Sequence, residues 1–133
     1  MKTIISRIAW SATQVIIVLL AVAAIGTAAS AHAVLVSSVP KDKAVLKTPP
    51  KQVVLRFDAR IEKRVSQVTL LDAKNKKVKL PASKNAGGKP SELIVAMPAL
   101  KPGTYRIQYQ VMATDGHLTP GQVQFTVAAR KKP

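Results

Sequence analysis

Two segments near the C-terminal end of this chain alternate apolar and polar residues, and this alternation constrains the fold more than any other feature. The segments are GTYRIQYQVMA at 103–113 and GQVQFTVAA at 121–129. Successive side chains of a β-strand point to opposite faces, so each segment would have one apolar face and one polar face. A sheet of this kind covers a hydrophobic core on one side and meets water on the other. The alternation therefore predicts two strands that line a core.

Shorter apolar segments precede these two and are also predicted to be strands. They are Val34–Val36, Gln52–Phe57, Val65–Leu71, Lys77–Leu80 and Leu93–Met97. Turn-forming residues separate them at 37–40 (SSVP), at 72–75 (DAKN) and in the polar stretch 82–90, which we predict to be a flexible loop. No helix of useful length is predicted after residue 31. Short strands separated by turn residues predict an all-β sandwich or barrel.

The beginning of the chain has a different character and predicts a secretory signal peptide. Lys2 and Arg7 form a basic start, an apolar run occupies 15–25 (VIIVLLAVAAI), and small residues follow. The apolar run is shorter than the roughly 20 residues that a membrane-spanning helix needs, although an uncleaved N-terminal anchor is the alternative. We therefore predict a signal peptide at 1–31 and one exported domain at 32–133, located in the periplasm.

The site of cleavage decides which residue begins the mature chain. Signal peptidase sites carry small residues at the last and third-last positions. Ala29-Ser30-Ala31 satisfies this rule and leaves His32 first, but Ala31-His32-Ala33 satisfies it too and would remove His32. Cleavage after Ala31 leaves 102 residues, which is enough for one modest hydrophobic core.

The chain contains no cysteine, and this excludes several classes of site. Disulfides, thiolate metal centres and cysteine nucleophiles are impossible, and so is a blue-copper electron-transfer site, which requires a cysteine ligand. Only two histidines are present, and the serines at 37 and 38 have no base close in sequence, so no hydrolase constellation is predicted.

The predicted domain is strongly basic. Loss of Lys2 and Arg7 with the signal peptide lowers the formal net charge from +15 to +13. Such a charge attracts anionic lipid, polysaccharide or nucleic acid. Two tyrosines and two phenylalanines are few stacking platforms, so we predict no nucleic-acid partner. A metal-free basic module that binds anionic envelope polymers remains an alternative function.

His32 and His117 are the candidate metal ligands. An N-terminal histidine offers its α-amine and its ring Nδ1, which together close a chelate ring. In Asp115-Gly116-His117, residues i and i+2 of an extended backbone point to the same side, so both side chains can converge on one ion. Gly116 between them has no side chain and lets the backbone bend. Three nitrogens and one oxygen suit tetragonal Cu(II). The sequence thus predicts one Cu(II) per chain at His32, Asp115 and His117, although each histidine alone could simply be exposed.

The mature chain that contains these residues resembles the CopC family of periplasmic copper-resistance proteins, including its small stand-alone YobA-like members. The matching stretches are HAVLVSSVP at 32–40, VVLRF at 53–57, LKPGTY at 100–105, TDGH at 114–117, and Gly121 with FTV at 125–127. The resemblance implies a Greek-key β-barrel or sandwich of immunoglobulin-like or cupredoxin-like shape. It also implies a Cu(II) site at the same three residues, a role in copper homeostasis or resistance, and an inner-membrane partner of the CopD type.

The chain departs from the family pattern at two points. Some members carry a glutamate near the copper after the phenylalanine of the second strand, whereas Phe57 is followed here by Asp58 and Ala59, so that ligand is not carried over. Other members have a methionine-rich loop that binds Cu(I). Met97 and Met112 each stand alone in a predicted strand, and we predict them to be core residues rather than copper ligands.

An N-terminal histidine paired with a second imidazole also suggests an alternative function, an oxidative copper enzyme of the histidine-brace type. The small size, the absence of tryptophan after Trp10 and a charged ligand at Asp115 argue against it. We therefore predict a binding protein without enzymatic activity, which sequesters Cu(II) or delivers it.

Overall fold

The computed structural model describes residues 32–82 and 87–129, and these residues form eight β-strands. The predicted signal peptide at 1–31, part of the predicted loop at 83–86 and the basic tail at 130–133 lie outside the described residues. The strands are β1 (Leu35–Val39), β2 (Ala44–Leu46), β3 (Gln52–Phe57), β4 (Gln67–Leu71), β5 (Lys77–Val78), β6 (Glu92–Ala96), β7 (Gly103–Met112) and β8 (Leu118–Val127). Across 32–82 and 87–129 there is no helix, hence none that is long and apolar enough to cross a membrane.

The strands form two sheets that share one hydrophobic core. The three-stranded sheet has the order β1-β3-β6, and the five-stranded sheet has the order β2-β8-β7-β4-β5. Neighbouring strands are antiparallel except β2, which runs parallel to β8. Buried side chains from both sheets belong to one contiguous cluster, so the sheets pack face to face as a sandwich. The prediction of an all-β fold is confirmed.

The pairing of β7 with β8 is the longest in the structure's described part. It extends from Gly103 opposite Val127 to Met112 opposite Leu118. The residues that the alternation places on the inner face are all buried, namely Tyr105, Ile107, Tyr109, Val111, Val123, Phe125 and Val127. Burial of each large apolar side chain stabilises the fold by about 1.5–3 kcal/mol. The two most regular segments of the sequence therefore form the centre of the core.

The β3 strand closes the core from the opposite sheet. Val53, Leu55 and Phe57 share its inner face, as their spacing predicts, and all three are buried. The ring of Phe57 meets that of Tyr109 edge to face, with centroids 5.5 Å apart and an interplanar angle of 77°. This contact joins the two sheets next to the end of the sandwich where β7 turns into β8.

The prediction of a break at 37–40 is wrong for its first three residues. Strand β1 continues through Ser37, Ser38 and Val39, and the break comes only at Pro40. Ser38 lies opposite Leu55 of β3 and is buried. Serine has a low intrinsic preference for strands, but pairing with a central strand of the sheet outweighs that preference.

Two further differences concern β2 and the start of β8. Strand β2 was not predicted, because its three residues depend on parallel pairing with Phe125–Val127, which are distant in sequence. Strand β8 begins at Leu118 rather than at Gly121 and includes Pro120. Among the described residues, β2 pairs only with Phe125–Val127 and leaves the edge of β8 at Pro120 open. Proline lacks an N–H, so it is tolerated in a strand where its nitrogen faces such an open edge.

Three segments meet at one end of the sandwich. The N-terminal segment 32–34 lies beside Asp58, whose backbone N–H donates to the carbonyl of Val34 at 3.0 Å. The stretch that follows β3 then packs along the turn between β7 and β8, where Ile61 forms a β-bridge with Ala113. The backbone of Thr114 also donates to the carbonyl of Arg60 at 3.3 Å. These backbone contacts bring both histidines to the same end of the molecule.

A first prediction concerns the close contact between Tyr109 and Gly121, which face each other across β7 and β8. A Cβ atom at Gly121 would overlap the phenol of Tyr109. We expect Gly121→Ala to lower the free energy of unfolding by about 1–3 kcal/mol, because the phenol must leave its packed position. Gly87→Ala is the control, since its Cβ would come no closer than 3.9 Å to Ile94. Equal urea-denaturation curves for the two variants would contradict this packing argument.

A second prediction concerns Glu92, whose Oε1 accepts from Arg56 Nε at 2.9 Å and whose Oε2 accepts from the backbone N–H of Lys89 at 3.1 Å. The Lys89 hydrogen bond, followed by that of Arg56, lowers the pKa of Glu92 below its ordinary value of 4.5. A lowered pKa in the folded state stabilises the fold above the ordinary pKa, and this stabilisation is lost as pH falls through the lowered value. When the pH is lowered from 7 to 3, the thermal unfolding temperature of Glu92→Gln should therefore fall by less than that of the parent. An identical loss in both proteins would contradict the expectation.

Candidate metal centre

The turn between β7 and β8 presents Asp115 and His117. The last paired residues are Met112 and Leu118, and Ala113 closes the turn by donating its N–H to the carbonyl of His117 at 2.9 Å. Gly116 donates to the carbonyl of Ala113 at 2.9 Å and has a φ of +88°. This left-handed conformation favours glycine because a Cβ would crowd the backbone. The Asp-Gly sequence therefore sets the local chain path.

Asp115 and His117, which the sequence places on the same side of the chain, are in direct contact. The backbone N–H of His117 donates to Asp115 Oδ1 at 3.1 Å, and Asp115 Oδ2 lies 2.8 Å from Nδ1 of the His117 ring. The backbone between them is not extended, as the i, i+2 argument assumed: the chain turns at Gly116, the residue that we expected to let it bend. A carboxylate that caps a backbone N–H two residues ahead is a common turn device.

These contacts hold Asp115 in its charged form. The hydrogen bond from the backbone of His117 is the main cause of a lowered pKa for the Asp115 carboxyl, and the imidazole of His117 lowers that pKa further. The charge of His32 acts in the same direction. Asp115 is therefore an anionic oxygen donor at neutral pH, which is the form that a cation requires.

His32 reaches the same end of the sandwich from the start of the described chain. Its ring centroid lies 5.1 Å from that of His117, and the two rings are tilted by 37°. The intervening Ala33 is completely buried, and Val34 is hydrogen-bonded to Asp58 through its N–H and its carbonyl. The structure thus brings together the three residues that the sequence singled out.

The three side chains do not form a closed cage. His32 is exposed, and the side chains of His117 and Asp115 retain 62% and 29% of their accessible surface. Within 32–82 and 87–129, no three His, Asp or Glu side chains already converge at metal-binding distances. Asp115 Oδ2 instead contacts ring nitrogen Nδ1 of His117 directly. The arrangement is an open, solvent-accessible group of donors at the rim of the sandwich.

Sequence reasoning missed the structural role of Asp58. Its carboxylate Oδ1 accepts the N–H of Val34 at 2.8 Å, two residues after His32. The available signal was its position directly after Phe57, at the end of a strand that pairs with β1. Met97 is buried in the core, as predicted. Met112 is only half-buried, at the end of β7 next to the turn that carries Asp115 and His117, and does not belong to the buried core cluster.

The two-sheet fold and this arrangement can be compared with known protein families. The family model described as the CopC domain matches residues 35–128, which include Asp115 and His117. The chain belongs to the CopC family, as the resemblance implied.

Individual relatives agree with this assignment. Protein YobA of Escherichia coli K12 is 33% identical over 98 residues, which cover 73% of this chain and 79% of YobA. The crystal structure of CopC from Methylosinus trichosporium OB3b matches with a TM-score of 0.66 and 33% identity, over 77% of this chain and 99% of that one. PcoC, a methionine-rich copper resistance protein from Escherichia coli, matches with a TM-score of 0.64 and 25% identity, over 72% of this chain and 98% of that one.

A third prediction concerns the turn that carries the donors. A Cβ atom at Gly116 would meet nothing within 4 Å, so the cost of a substitution there is backbone strain alone. We expect Gly116→Ala to lower the free energy of unfolding by about 1–2 kcal/mol. Gly116→Asn is the matched control and should cost less, because asparagine adopts positive φ more readily. Denaturant titration of both variants measures the difference, and an alanine variant as stable as the parent would contradict the role of Gly116.

Proposed function

We propose that the chain is exported, that its mature form begins at His32, and that it binds one Cu(II) ion in the periplasm. Its role would be to sequester copper or deliver it, as part of copper homeostasis or resistance. The observation that carries the proposal is the 5.1 Å approach of the His32 and His117 rings, with Asp115 on the same turn. The description of PcoC as a copper resistance protein supports the same chemistry.

The donor set suits Cu(II) in particular. The α-amine and ring of His32, the ring of His117 and the carboxylate of Asp115 supply three nitrogens and one oxygen, which tetragonal Cu(II) prefers. Two ligands at right angles, each about 2.0 Å from an ion, stand about 2.8 Å apart. The 2.8 Å between His117 Nδ1 and Asp115 Oδ2 is compatible with that spacing. An ion bound by both atoms would displace any proton that Nδ1 carries.

The open position of the donors favours exchange of the ion over permanent storage. Much of the His117 side chain is exposed, so a partner could approach the ion directly. An inner-membrane copper transporter of the CopD type is the partner that we propose. The formal charge of the proposed mature chain, +13, repels a cation, and the carboxylates of Asp58 and Asp115 offset that repulsion locally.

We propose no enzymatic activity. Asp115 would occupy a ligand position that an oxidative copper site of the histidine-brace type keeps open. No tryptophan follows Trp10 in the sequence, which leaves little flat aromatic surface for sugar rings. Oxygen consumption with ascorbate that depended on both copper and His117, and that exceeded the rate of unbound copper, would contradict this view.

A fourth prediction tests the copper site on the exported protein. The purified mature chain should have the mass expected for a His32 N-terminus and should take up one Cu(II). His32→Ala and His117→Ala should each weaken Cu(II) affinity by more than about 100-fold, beyond the range seen for residues that only support a ligand. Competition with a chromophoric chelator measures the affinity, and electron paramagnetic resonance reports the number of nitrogen ligands.

A mature chain whose α-amine is acetylated is the matched control. It keeps both imidazoles and the carboxylate but prevents the amine from binding an ion, so the chelate should be lost while His117 and Asp115 remain. If this chain or His32→Ala bound Cu(II) as tightly as the parent, the proposed N-terminal site would be wrong. A mature chain that began at Val34 would also overturn it. Salt-sensitive binding to anionic polymers would then become the better-supported function.

A further inference from the structure

Asp58 holds the N-terminal segment by two reciprocal hydrogen bonds. Its Oδ1 accepts the N–H of Val34 at 2.8 Å, and its own N–H donates to the carbonyl of Val34 at 3.0 Å. Both polar groups of the Val34 backbone are therefore bound by a single residue. The side chain of Val34 itself is 55% exposed, so packing of this side chain contributes little to holding the segment.

This pair of bonds lies where strand pairing ends. The ladder between β1 and β3 has its last pair at Leu35 and Phe57, and its register shifts between Leu35 and Ser37. Terminal residues beyond a ladder normally fray unless other contacts tie them down. Asp58 continues the attachment by one residue, and the buried Ala33 continues it by another. His32 is consequently presented next to His117 rather than left at the end of a loose segment.

We infer that Asp58 is a positioning residue, which fixes the N-terminal segment so that His32 stands beside His117, and that it is not itself a copper ligand. The inference rests on the proposed function for its relevance to copper. Oδ1 of Asp58 is already engaged by the N–H of Val34. Moving this oxygen to an ion would release the segment that carries the α-amine and the His32 ring. Asp58 therefore supports copper binding by ordering the chelating residue before the ion arrives.

The chain provides a matched control at Asp42. Its Oδ1 accepts the N–H of Gln124 at 2.9 Å, while the neighbouring Lys43 N–H donates to the carbonyl of Gln124 at 2.7 Å. Asp42 thus makes the same kind of carboxylate-to-backbone bond and carries the same charge as Asp58. Gln124 lies about 20 Å along β8 from Leu118, which adjoins the candidate metal centre.

A fifth prediction compares Cu(II) affinity in the mature parent and in Asp58→Ala, Asp58→Asn and Asp42→Ala, by chelator competition. Asp58→Ala should weaken affinity by about 10- to 100-fold, the range for residues that orient metal ligands. Asp58→Asn keeps a carbonyl oxygen that can accept from Val34, so its affinity should stay within about threefold of the parent. Asp42→Ala should also stay within about threefold, because it removes an equal charge and an equal bond away from the site.

The second readout does not involve copper. Hydrogen exchange at the Val34 amide, measured by NMR in the protein without added metal, should be faster in Asp58→Ala and unchanged in Asp58→Asn. If Asp58→Ala fails to fold, Val34→Pro deletes the same hydrogen bond from the donor side and leaves the carboxylate intact. Val34→Pro should then weaken Cu(II) affinity to the extent expected for Asp58→Ala.

Each outcome separates the inference from the proposed function. If the parent binds Cu(II) but Asp58→Ala binds equally well, the positioning role is wrong and the copper site stands. If Asp58→Asn is as weak as Asp58→Ala while Val34 stays protected, the carboxylate charge or direct ligation matters, and the inference is overturned. If the parent binds no Cu(II), the proposed function fails, and unchanged Val34 exchange in Asp58→Ala would overturn the positioning role as well.

Discussion

The ten-residue pairing of β7 with β8 is the interaction on which the rest of the structure depends. Its inner face supplies Ile107, Val111 and Phe125 to the core, and Tyr109 reaches across to Phe57 of the opposite sheet. The same pairing ends in the turn that presents Asp115 and His117. Because the ladder is long and one of its faces is buried, a slip of one residue would turn the core side chains of the slipped strand toward solvent. The position of the candidate ligands is therefore tied to the register of the core.

The second half of the candidate site depends on backbone contacts at the edge of the smaller sheet. His32 lies beyond the last pair of β1 and β3, and two hydrogen bonds between Val34 and Asp58 hold the segment that leads to it. Burial of Ala33 also fixes this segment. Asp115 and His117 thus lie on a turn closed by backbone hydrogen bonds, whereas His32 lies on a segment that the backbone and carboxylate of Asp58 hold in place. The candidate site is consequently open to solvent.

Agreement between sequence pattern and structure is best where the pattern is long and regular. The alternation in β7 and β8 predicted each inward residue, because a period of two over several residues has few competing explanations. Prediction failed where tertiary pairing outweighs local preference. Ser37 and Ser38 belong to β1 although serine favours turns, and the short β2 forms only against Phe125–Val127. Asp115 and His117 were predicted to project to the same side, and a turn at Gly116 rather than an extended backbone places them side by side.

The sequence by itself determined the all-β class, the inward faces of the long strands, the absence of any thiolate chemistry, and the three candidate donor residues. These follow from residue type and periodicity, which are local properties of the chain. Only the tertiary structure decided that the rings of His32 and His117 approach to 5.1 Å, and that Asp58 binds the backbone of Val34. Residues so distant in sequence meet because two sheets share one core, and no local pattern encodes the register with which those sheets pack.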